Sequence, residues 1–225
     1  MKTKPRSIKE LVEERVKEWG TVPHSEKKKR RKPLLLISRE AGTIAEEVAR
    51  RLSKELEMHL YDEDLVSRIA EDTHTSETIV RSLDEKGVSF IDDLLEGLAH
   101  ELTSDEYAQD LFRTLGTIDW HGNGVILGRG AAFFLRGRNN LLVRFVAPQE
   151  ERIKNVMATE GLNESEARAR VEKLDKDRRA FVHKYFHEDI DDVKKFDLVF
   201  NSANMDVDTV VQILKVALRR TGFSS

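Results

Sequence analysis

Five short apolar runs, each followed by a helical pattern, constrain the fold of this chain more than any other feature. A run that is apolar throughout is expected for a strand buried on both faces of a parallel sheet. Strands that alternate with helices predict βα units, and therefore an α/β fold whose parallel sheet is covered by helices on both faces. The predicted strands are residues 34–37, 58–61, 124–127, 141–146 and 198–201.

Helical spacing occupies most of the chain between these strands. Ile44, Val48, Leu52 and Leu56 share one face of a helix that follows the first strand. Residues 63–118 are mostly helical in pattern. The other predicted helices are residues 131–135, 150–159, 163–184 and 207–218.

The N-terminal region combines a predicted helix with a basic block. Residues 7–19 have helical spacing, with Ser7 as the N-cap, Glu10 as its capping-box partner and Gly20 at the end. Residues 27–32 hold only Lys and Arg, which repel one another and predict a solvated linker. The alternative is a tether for nucleic acid or an acidic surface. The first 32 residues are therefore expected to be an arm before one domain that spans residues 33–225.

Composition excludes several classes of function. The 38 Lys and Arg nearly balance 41 Asp and Glu, so the net charge of −3 gives no global field for nucleic acid. The absence of cysteine excludes disulfides, thiol catalysis and thiolate metal sites, and suits a cytoplasmic protein. No apolar stretch reaches the roughly 18 residues of a membrane span, and the N-terminus lacks the apolar segment of a secretory signal. We therefore expect no membrane partner.

Polar segments follow four of the predicted strands. In open parallel sheets, ligands bind beyond the carboxyl ends of the strands. The four segments, SREAGT, YDED, GRGA and APQEER, are therefore predicted to meet at one edge of the sheet and to form a ligand site.

The turn after the first strand is the candidate for a phosphate-binding loop. Such loops use glycines so that backbone N–H groups point at the anion. Here Gly42 is the only glycine, no lysine follows it, and the β-branched Ile44 disfavours the positive φ that such a loop can require. Glu46 and Glu47 suit a helix N-terminus but repel an anion. Two interpretations stay open, a plain strand–turn–helix and a remodelled turn that still binds an anion.

Six motifs occur in an order and spacing typical of one family. They are ISREAG at 37–42, LYDEDLV at 60–66, GVILGRGA at 124–131, RFVAPQEERI at 144–153, LDKDRR at 174–179 and FDLVFN at 196–201. In these motifs the chain resembles the cytidylate kinase-like family of P-loop nucleoside monophosphate (NMP) kinases. The resemblance implies a three-layer P-loop kinase fold with a five-stranded parallel sheet, a helical NMP-binding region near 60–118 and a lid near 163–192. It also implies that ATP, with Mg²⁺, phosphorylates a small-molecule nucleotide such as CMP.

The resemblance implies that the turn binds the ATP cofactor. Gly42 and Thr43 match a Gly-Ser pair in related sequences, whereas Ile44 and Ala45 stand where two further glycines would be. Besides these four residues of the turn, Arg39 is a candidate for binding ATP. It either replaces the missing lysine by folding over the turn, or forms an exposed ion pair with the next residue.

The resemblance also assigns residues to substrate binding. Asp62 would open the NMP-binding region, and Arg68 would grip the acceptor phosphate through two hydrogen bonds. The alternative is a helix N-cap aspartate with a solvated arginine. Arg129, between two glycines after a strand, would serve both substrate binding and catalysis. Cytidylate kinases often carry Asp where this chain has Gly130, which affects base recognition more than phosphate binding.

The predicted lid contributes the last candidates. Arg178 and Arg179 would close over the transferred phosphoryl group as catalytic residues, and Asp175 would bind substrate. A solvated charged helix is the alternative. Arg152, which opens the helix after the fourth strand, is predicted either to reach the nucleotide or to pair with one of the glutamates just before it.

Several further features have ordinary explanations. His183 and His187 are one helical turn apart, but no third ligand is fixed by spacing, so no metal site is predicted. The apolar stripe within residues 89–112 predicts core packing or a homodimer surface. Two other functions are weighed against a kinase: a catalytically silent nucleotide-binding protein on the same fold, and an interaction protein that acts through residues 27–32.

Overall fold

The computed structural model describes residues 7–21, 32–98 and 105–220. The basic block is thus outside the described residues except for Lys32. Internal contacts divide the chain into two compact units. The helical unit comprises Met1–Lys32 and Tyr61–Asn123, and the sheet unit comprises Pro33–Leu60 and Gly124–Ser225. Of the described helices, none is both long and apolar enough to cross a membrane.

Five parallel strands form one sheet in the order β2-β3-β1-β4-β5. The central strand β1 pairs with β3 on one side and with β4 on the other. Three strands have the predicted bounds, and β1 extends beyond its predicted end to Arg39. The strands are β1 Leu35–Arg39, β2 His59–Tyr61, β3 Gly124–Leu127, β4 Leu141–Val146 and β5 Leu198–Asn201.

Helices connect these strands and also build the helical unit. The described helices are α1 Ile8–Thr21, α2 Ala45–Glu55, α3 Glu63–Glu71, α4 Thr73–Val80, α5 Glu85–Glu96, α6 Glu106–His121, α7 Ala131–Phe134, α8 Gln149–Glu160, α9 Glu164–Phe186 and α10 Val207–Arg220. A short 3₁₀ helix spans Val193–Lys195. The α/β class and the parallel sheet predicted from the apolar runs are thus confirmed.

Two apolar clusters hold the sheet unit together. The larger one packs sheet residues such as Ile37 and Phe145 against Leu52 of α2 and Leu214 of α10. The smaller one joins the turn after β1 to the helices α8 and α9. Its buried members are Ala41, Ile153, Val156, Ala167 and Val171. Because burial of apolar surface stabilises at about 25 cal/mol per Å², this cluster fixes the turn against both helices.

The helical unit includes the N-terminal helix. The predicted capping box is present, since the Ser7 N–H donates to Glu10 Oε2 at 2.8 Å and the Glu10 N–H donates to Ser7 Oγ at 3.2 Å. The helix continues one residue past Gly20, the predicted end. Trp19 is buried and stacks on His121, with ring centroids 4.0 Å apart. Although the sequence set residues 1–32 apart as an arm, α1 packs within this unit.

Candidate functional site

The turn between β1 and α2 has the backbone of a tight loop without strain at its β-branched residue. Gly42 has φ of +80°, which a glycine adopts freely. Ile44, the N-cap of α2, has φ of −75° and ψ of 3°, so the positive φ that would have strained it is not required. No side chain caps α2.

The carbonyl groups of this turn accept hydrogen bonds from side chains. Three of the four donors lie on α8 or α9, so these carbonyls face the helices. The bonds are Arg178 Nη1 to Arg39 O at 3.4 Å, Thr43 Oγ1 to Glu40 O at 2.9 Å, Arg152 Nη1 to Ala41 O at 3.2 Å and Asn155 Nδ2 to Gly42 O at 2.8 Å.

The N–H groups of the turn divide into two sets. Those of Glu40 and Ala41 donate within the protein, to Phe145 O at 3.0 Å and to Asp175 Oδ1 at 2.9 Å. Within the described chain, no protein acceptor takes the N–H groups of residues 42–44. Main-chain donors ordinarily find a partner in the protein or in solvent. Three successive donors ahead of a helix N-terminus, whose dipole is positive, therefore suit an anion.

Gly42 also lets the turn lie directly on helix α8. A Cβ built at this position would come well inside 3.0 Å of the Arg152 carbonyl oxygen, a distance that real Cβ atoms do not show. No residue with a side chain therefore fits without moving the turn or the helix. The predicted importance of Gly42 thus has a packing reason as well as a conformational one.

A buried ion network surrounds the first half of the turn. Arg152 donates from Nη1 to Asp175 Oδ2 at 2.6 Å, and its Nε lies 3.2 Å from Glu40 Oε2. The same Nε donates to Ala147 O at 3.0 Å, and the Ala147 N–H donates to Glu40 Oε2 at 2.9 Å. Arg152 therefore pairs with Glu40 and Asp175, and not with either of the glutamates considered from sequence. These groups had no sequence signal as a set, because they come from three separate segments.

Arg39 lies at the end of β1 and is buried, whereas the ion pair considered from sequence was expected to be exposed. Its guanidinium crowds Gly128 at the end of β3, where a Cβ would come well inside 3.0 Å of Arg39 Nη1. The Gly128 N–H donates to Ile37 O at 2.9 Å. The structure thus brings Arg39 and the GRG segment together at the carboxyl ends of β1 and β3, as the convergence of strand ends predicted.

Arg129 has a backbone conformation that is costly for a residue with a side chain. Its φ is +54°, and Gly128 and Gly130 on either side have φ of +85° and +68°. A residue held in this region costs on the order of 1 kcal/mol and persists where the surrounding structure requires it. A Cβ at Gly130 would lie 2.7 Å from the Phe186 ring and 2.9 Å from the Phe181 ring. A side chain at position 130 would therefore require these two rings to move.

Arg178 and Arg179, the two catalytic candidates on α9, have different environments. Arg178 is partly buried and contacts the turn, as described above. Arg179 is exposed and donates to Asp191 Oδ2 at 3.0 Å, while the buried Arg144 donates to Asp191 Oδ1 and, at 2.8 Å, to Ser38 Oγ. Burial raises the pKa of Asp191, but the hydrogen bonds and charges of the two arginines outweigh it, and the net pKa is lowered. Arg144 is a lone cation in the apolar run LLVRFV, a signal that could have identified it from sequence.

Asp62 and Arg68 belong to the helical unit. Asp62 is the N-cap of α3 and accepts from the Leu65 N–H at 2.8 Å. Arg68 is exposed and donates from Nε to Asp64 Oδ1 at 3.0 Å, one turn earlier in the same helix. Both side chains therefore make the local contacts that the sequence analysis gave as the alternative to a role in substrate binding. Their substrate-binding role stays a prediction.

His183 lies in the last turn of α9, and His187 is the C-cap of that helix. The rings of His183 and His187 are 6.3 Å apart between centroids. No group of three or more His, Asp or Glu side chains in the described parts of the chain is arranged to hold a metal ion.

Comparison with solved structures finds similar folds over most of this chain. The chain is similar to a crystal structure described as an uncharacterized protein from Eubacterium ventriosum ATCC 27560, with a TM-score of 0.68 and 22% identity over 84% of this chain and 99% of that one. Weaker similarity is found to a shikimate kinase from Bacteroides thetaiotaomicron (TM-score 0.47, 14% identity, 83% and 98% of the two chains). Similarity of the same order is found to TT1252 from Thermus thermophilus, with a TM-score of 0.45 and 18% identity over 85% of this chain and 98% of that one. No curated protein matches the chain.

The five parallel strands and the helices that connect them form an α/β architecture whose first turn presents main-chain donors. The model of the cytidylate kinase-like family matches residues 35–204, and the chain belongs to this family. Family membership supports a nucleotide kinase-like function and the use of a small-molecule nucleotide. The region before residue 35, including α1, is outside the match.

Proposed function

We propose that this protein transfers the γ-phosphoryl group of ATP to a nucleoside monophosphate, such as CMP. The observation that carries the proposal is the division of polar groups in the turn after β1. Its carbonyls accept from side chains, whereas the N–H groups of residues 42–44 have no acceptor in the described chain. Such an array binds the phosphates of a nucleotide through main-chain donors and the positive end of α2.

The residues of the turn fit ATP better than they fit a bare metal ion. The Thr43 hydroxyl donates to Glu40 O, so its oxygen can still accept a hydrogen bond or contact a cation. Mg²⁺ is ordinarily bound through substrate phosphates and water with few protein ligands. The metal would therefore arrive with the triphosphate, where it neutralises charge that develops during transfer.

The arginines supply the charge that phosphoryl transfer requires. A phosphate oxygen of the acceptor attacks the γ-phosphorus, the bond to the β,γ-bridging oxygen breaks, and ADP leaves. Arg178 contacts the turn, and Arg129 is held between two glycines at the end of β3, so both are assigned to the transferred group. Arg179 is assigned the same task after release from Asp191. Asp62 and Arg68 are assigned to the acceptor.

The proposal is tested by combining binding with turnover. ATP·Mg²⁺ is titrated calorimetrically into the full chain, and ADP formation is then measured with a panel of nucleoside monophosphates. We expect saturable binding and ADP formation that depends on one acceptor. In Arg129→Ala, kcat should fall by about 10²-fold or more. Absence of ATP binding to the unmodified protein would reject the proposal.

A catalytically silent nucleotide-binding protein is the second candidate. One observation favours it: Arg179, a predicted catalytic cation, is bound by the Asp191 carboxylate. Under this alternative ATP binds normally, but no acceptor in the panel accelerates ADP formation. The same titration and assay therefore separate the two functions.

A further inference from the structure

The carboxylate of Asp175 is buried, and both of its oxygens bind groups of the protein. Oδ1 accepts from the Ala41 N–H at 2.9 Å, and Oδ2 accepts from Arg152 Nη1 at 2.6 Å. Only 7% of the residue is exposed. A side chain with both oxygens engaged in this way is poorly placed to bind substrate, the role suggested by sequence.

We infer that Asp175, Arg152 and Glu40 are positioning residues, which orient the peptide groups of the turn so that the N–H groups of residues 42–44 face the nucleotide. The inference rests on the proposed function and adds a second layer to its site. The three side chains reach the phosphates only through the backbone. They are therefore distinct from the arginines assigned to the transferred group.

The groups on which these hydrogen bonds end indicate that the network positions the turn and does not only attach α8 to α9. The two helices already share an apolar cluster, and at the surface Arg168 joins Glu150 of α8 to α9 at 3.2 Å. The buried network instead ends on main-chain groups of the two segments that follow β1 and β4. Those groups are the Ala41 N–H, the Ala41 carbonyl, the Ala147 N–H and the Ala147 carbonyl.

The network holds the main chain of the turn on both sides of Ala41. Ala41 donates its N–H to Asp175, and its carbonyl accepts from Arg152. These two groups belong to the peptide groups on either side of Ala41, and neither peptide group can rotate without breaking a charge-assisted bond, which is stronger than a neutral one. The next carbonyl, of Gly42, accepts from Asn155. With the carbonyls held against α8, the following N–H groups are left for an anion.

The network also links the turn to a catalytic candidate. Arg178 follows Asp175 by three residues on α9, so the two side chains lie on one face of the helix. Asp175 binds the Ala41 N–H, and Arg178 donates to the Arg39 carbonyl. A change at Asp175 should therefore disturb both ATP binding and the placement of Arg178.

The inference is tested with the full chain and three variants. Asp175→Asn preserves shape but removes the charge, and Arg152→Lys preserves the charge but removes the planar group with its several donors. Arg168→Gln is the matched control, because it removes an exposed arginine bond between the same two helices. For each protein, amide hydrogen exchange at Ala41 is measured without nucleotide, the Kd for ATP·Mg²⁺ by calorimetry, and kcat and KM in the proposed reaction.

We expect faster exchange at Ala41 and a Kd raised by about tenfold or more in both network variants, since a charged hydrogen bond contributes at about that level. Arg168→Gln should match the unmodified protein in all measurements. A Kd within twofold of the unmodified protein in Asp175→Asn, despite faster exchange, would overturn the inference and leave the proposed function intact. Tighter ATP binding in Asp175→Asn would also overturn it, because the carboxylate would then be a competitor of the phosphates. Should the unmodified protein bind no ATP, the proposed function itself would fail.

Discussion

The segments that follow β1 and β2 hold their charged side chains in opposite ways. After β1, charged residues from three segments are buried together, and their hydrogen bonds end on the backbone of the turn. After β2, Asp62 and Arg68 bond only within their own helix, where Arg68 stays exposed. The turn after β1 is therefore held in place before any ligand binds. After β2, the exposed side chain of Arg68 would have to be ordered by a ligand. This difference predicts that the turn after β1 is preorganised for a ligand and that the side chains of Asp62 and Arg68 are not.

The largest effect is expected from Gly42→Ala, which tests how firmly the β1 turn is fixed. Gly161→Ala is its control, because Gly161 also has a positive φ but has nothing within 4 Å of a Cβ. The control should lose about 1 kcal/mol of unfolding free energy from backbone strain alone. Gly42→Ala should lose about 3 kcal/mol or more, since the methyl group meets the Arg152 carbonyl. Urea unfolding measures both, and equal losses would contradict the close approach.

The next effect concerns the cation that touches the turn. Arg178→Ala should lower kcat about 10²-fold with a smaller change in KM, because preorganised charge acts mainly on the transition state. Lys176→Ala removes an exposed cation from the same helix and is the control. Steady-state kinetics distinguish them. Similar losses in both variants would mean that only the general positive charge of α9 matters.

The proposed role of Arg68 in binding the acceptor is tested with Arg68→Ala. Loss of a flexible phosphate contact should raise KM for the acceptor about tenfold and leave KM for ATP unchanged. Arg81→Ala is matched to it, since Arg81 also pairs with an acidic residue one turn earlier, Glu77, on an exposed helix surface. A change in KM for ATP with Arg68→Ala, or no change in either KM, would contradict the assignment of Arg68 to the acceptor.

The smallest effect concerns an ion pair between elements of the sheet unit. The bidentate hydrogen bonds from Arg136, reinforced by Lys195, lower the pKa of Glu188 to about 2. Because the pKa is lowered in the folded state, the pair stabilises above the unfolded value of 4.5, and this stability is lost as pH falls from 4.5 to 2. Arg136 is partly exposed, so the contribution is about 1 kcal/mol.

Unfolding free energies of the unmodified protein and Glu188→Gln, measured across this range, should converge as the pH falls. A difference that stays constant would show that the ion pair does not account for the stability.

The strands could be predicted from sequence because each lies in a mainly apolar run, which is typical of strands in a parallel sheet. The capping box at Ser7 was equally readable, since both partners lie within one turn. Arg129 was singled out by its two flanking glycines, and its role in binding and catalysis stays a prediction. The helix bounds were less certain, and α9 extends beyond the predicted end at residue 184 to Phe186.

The roles of Arg152 and Asp175 were not readable from sequence. Asp175 binds a backbone group 134 residues away, and local spacing contains no trace of that contact. The conformation of Ile44 was also not readable, because the sequence showed only that a positive φ would be strained there, and the observed φ is negative. The aromatic rings that crowd Gly130 come from α9, and no local pattern links them to the GRG segment.

The central claim is that the N–H groups of residues 42–44 bind the phosphates of a nucleotide. Amide chemical shifts of the full chain, recorded by NMR during titration with ATP·Mg²⁺, test it directly. We predict large, saturable shifts at Gly42, Thr43 and Ile44, with Ala41 less affected because its N–H stays bound to Asp175. Shifts confined to other parts of the chain, with these three amides unchanged at saturation, would contradict the account.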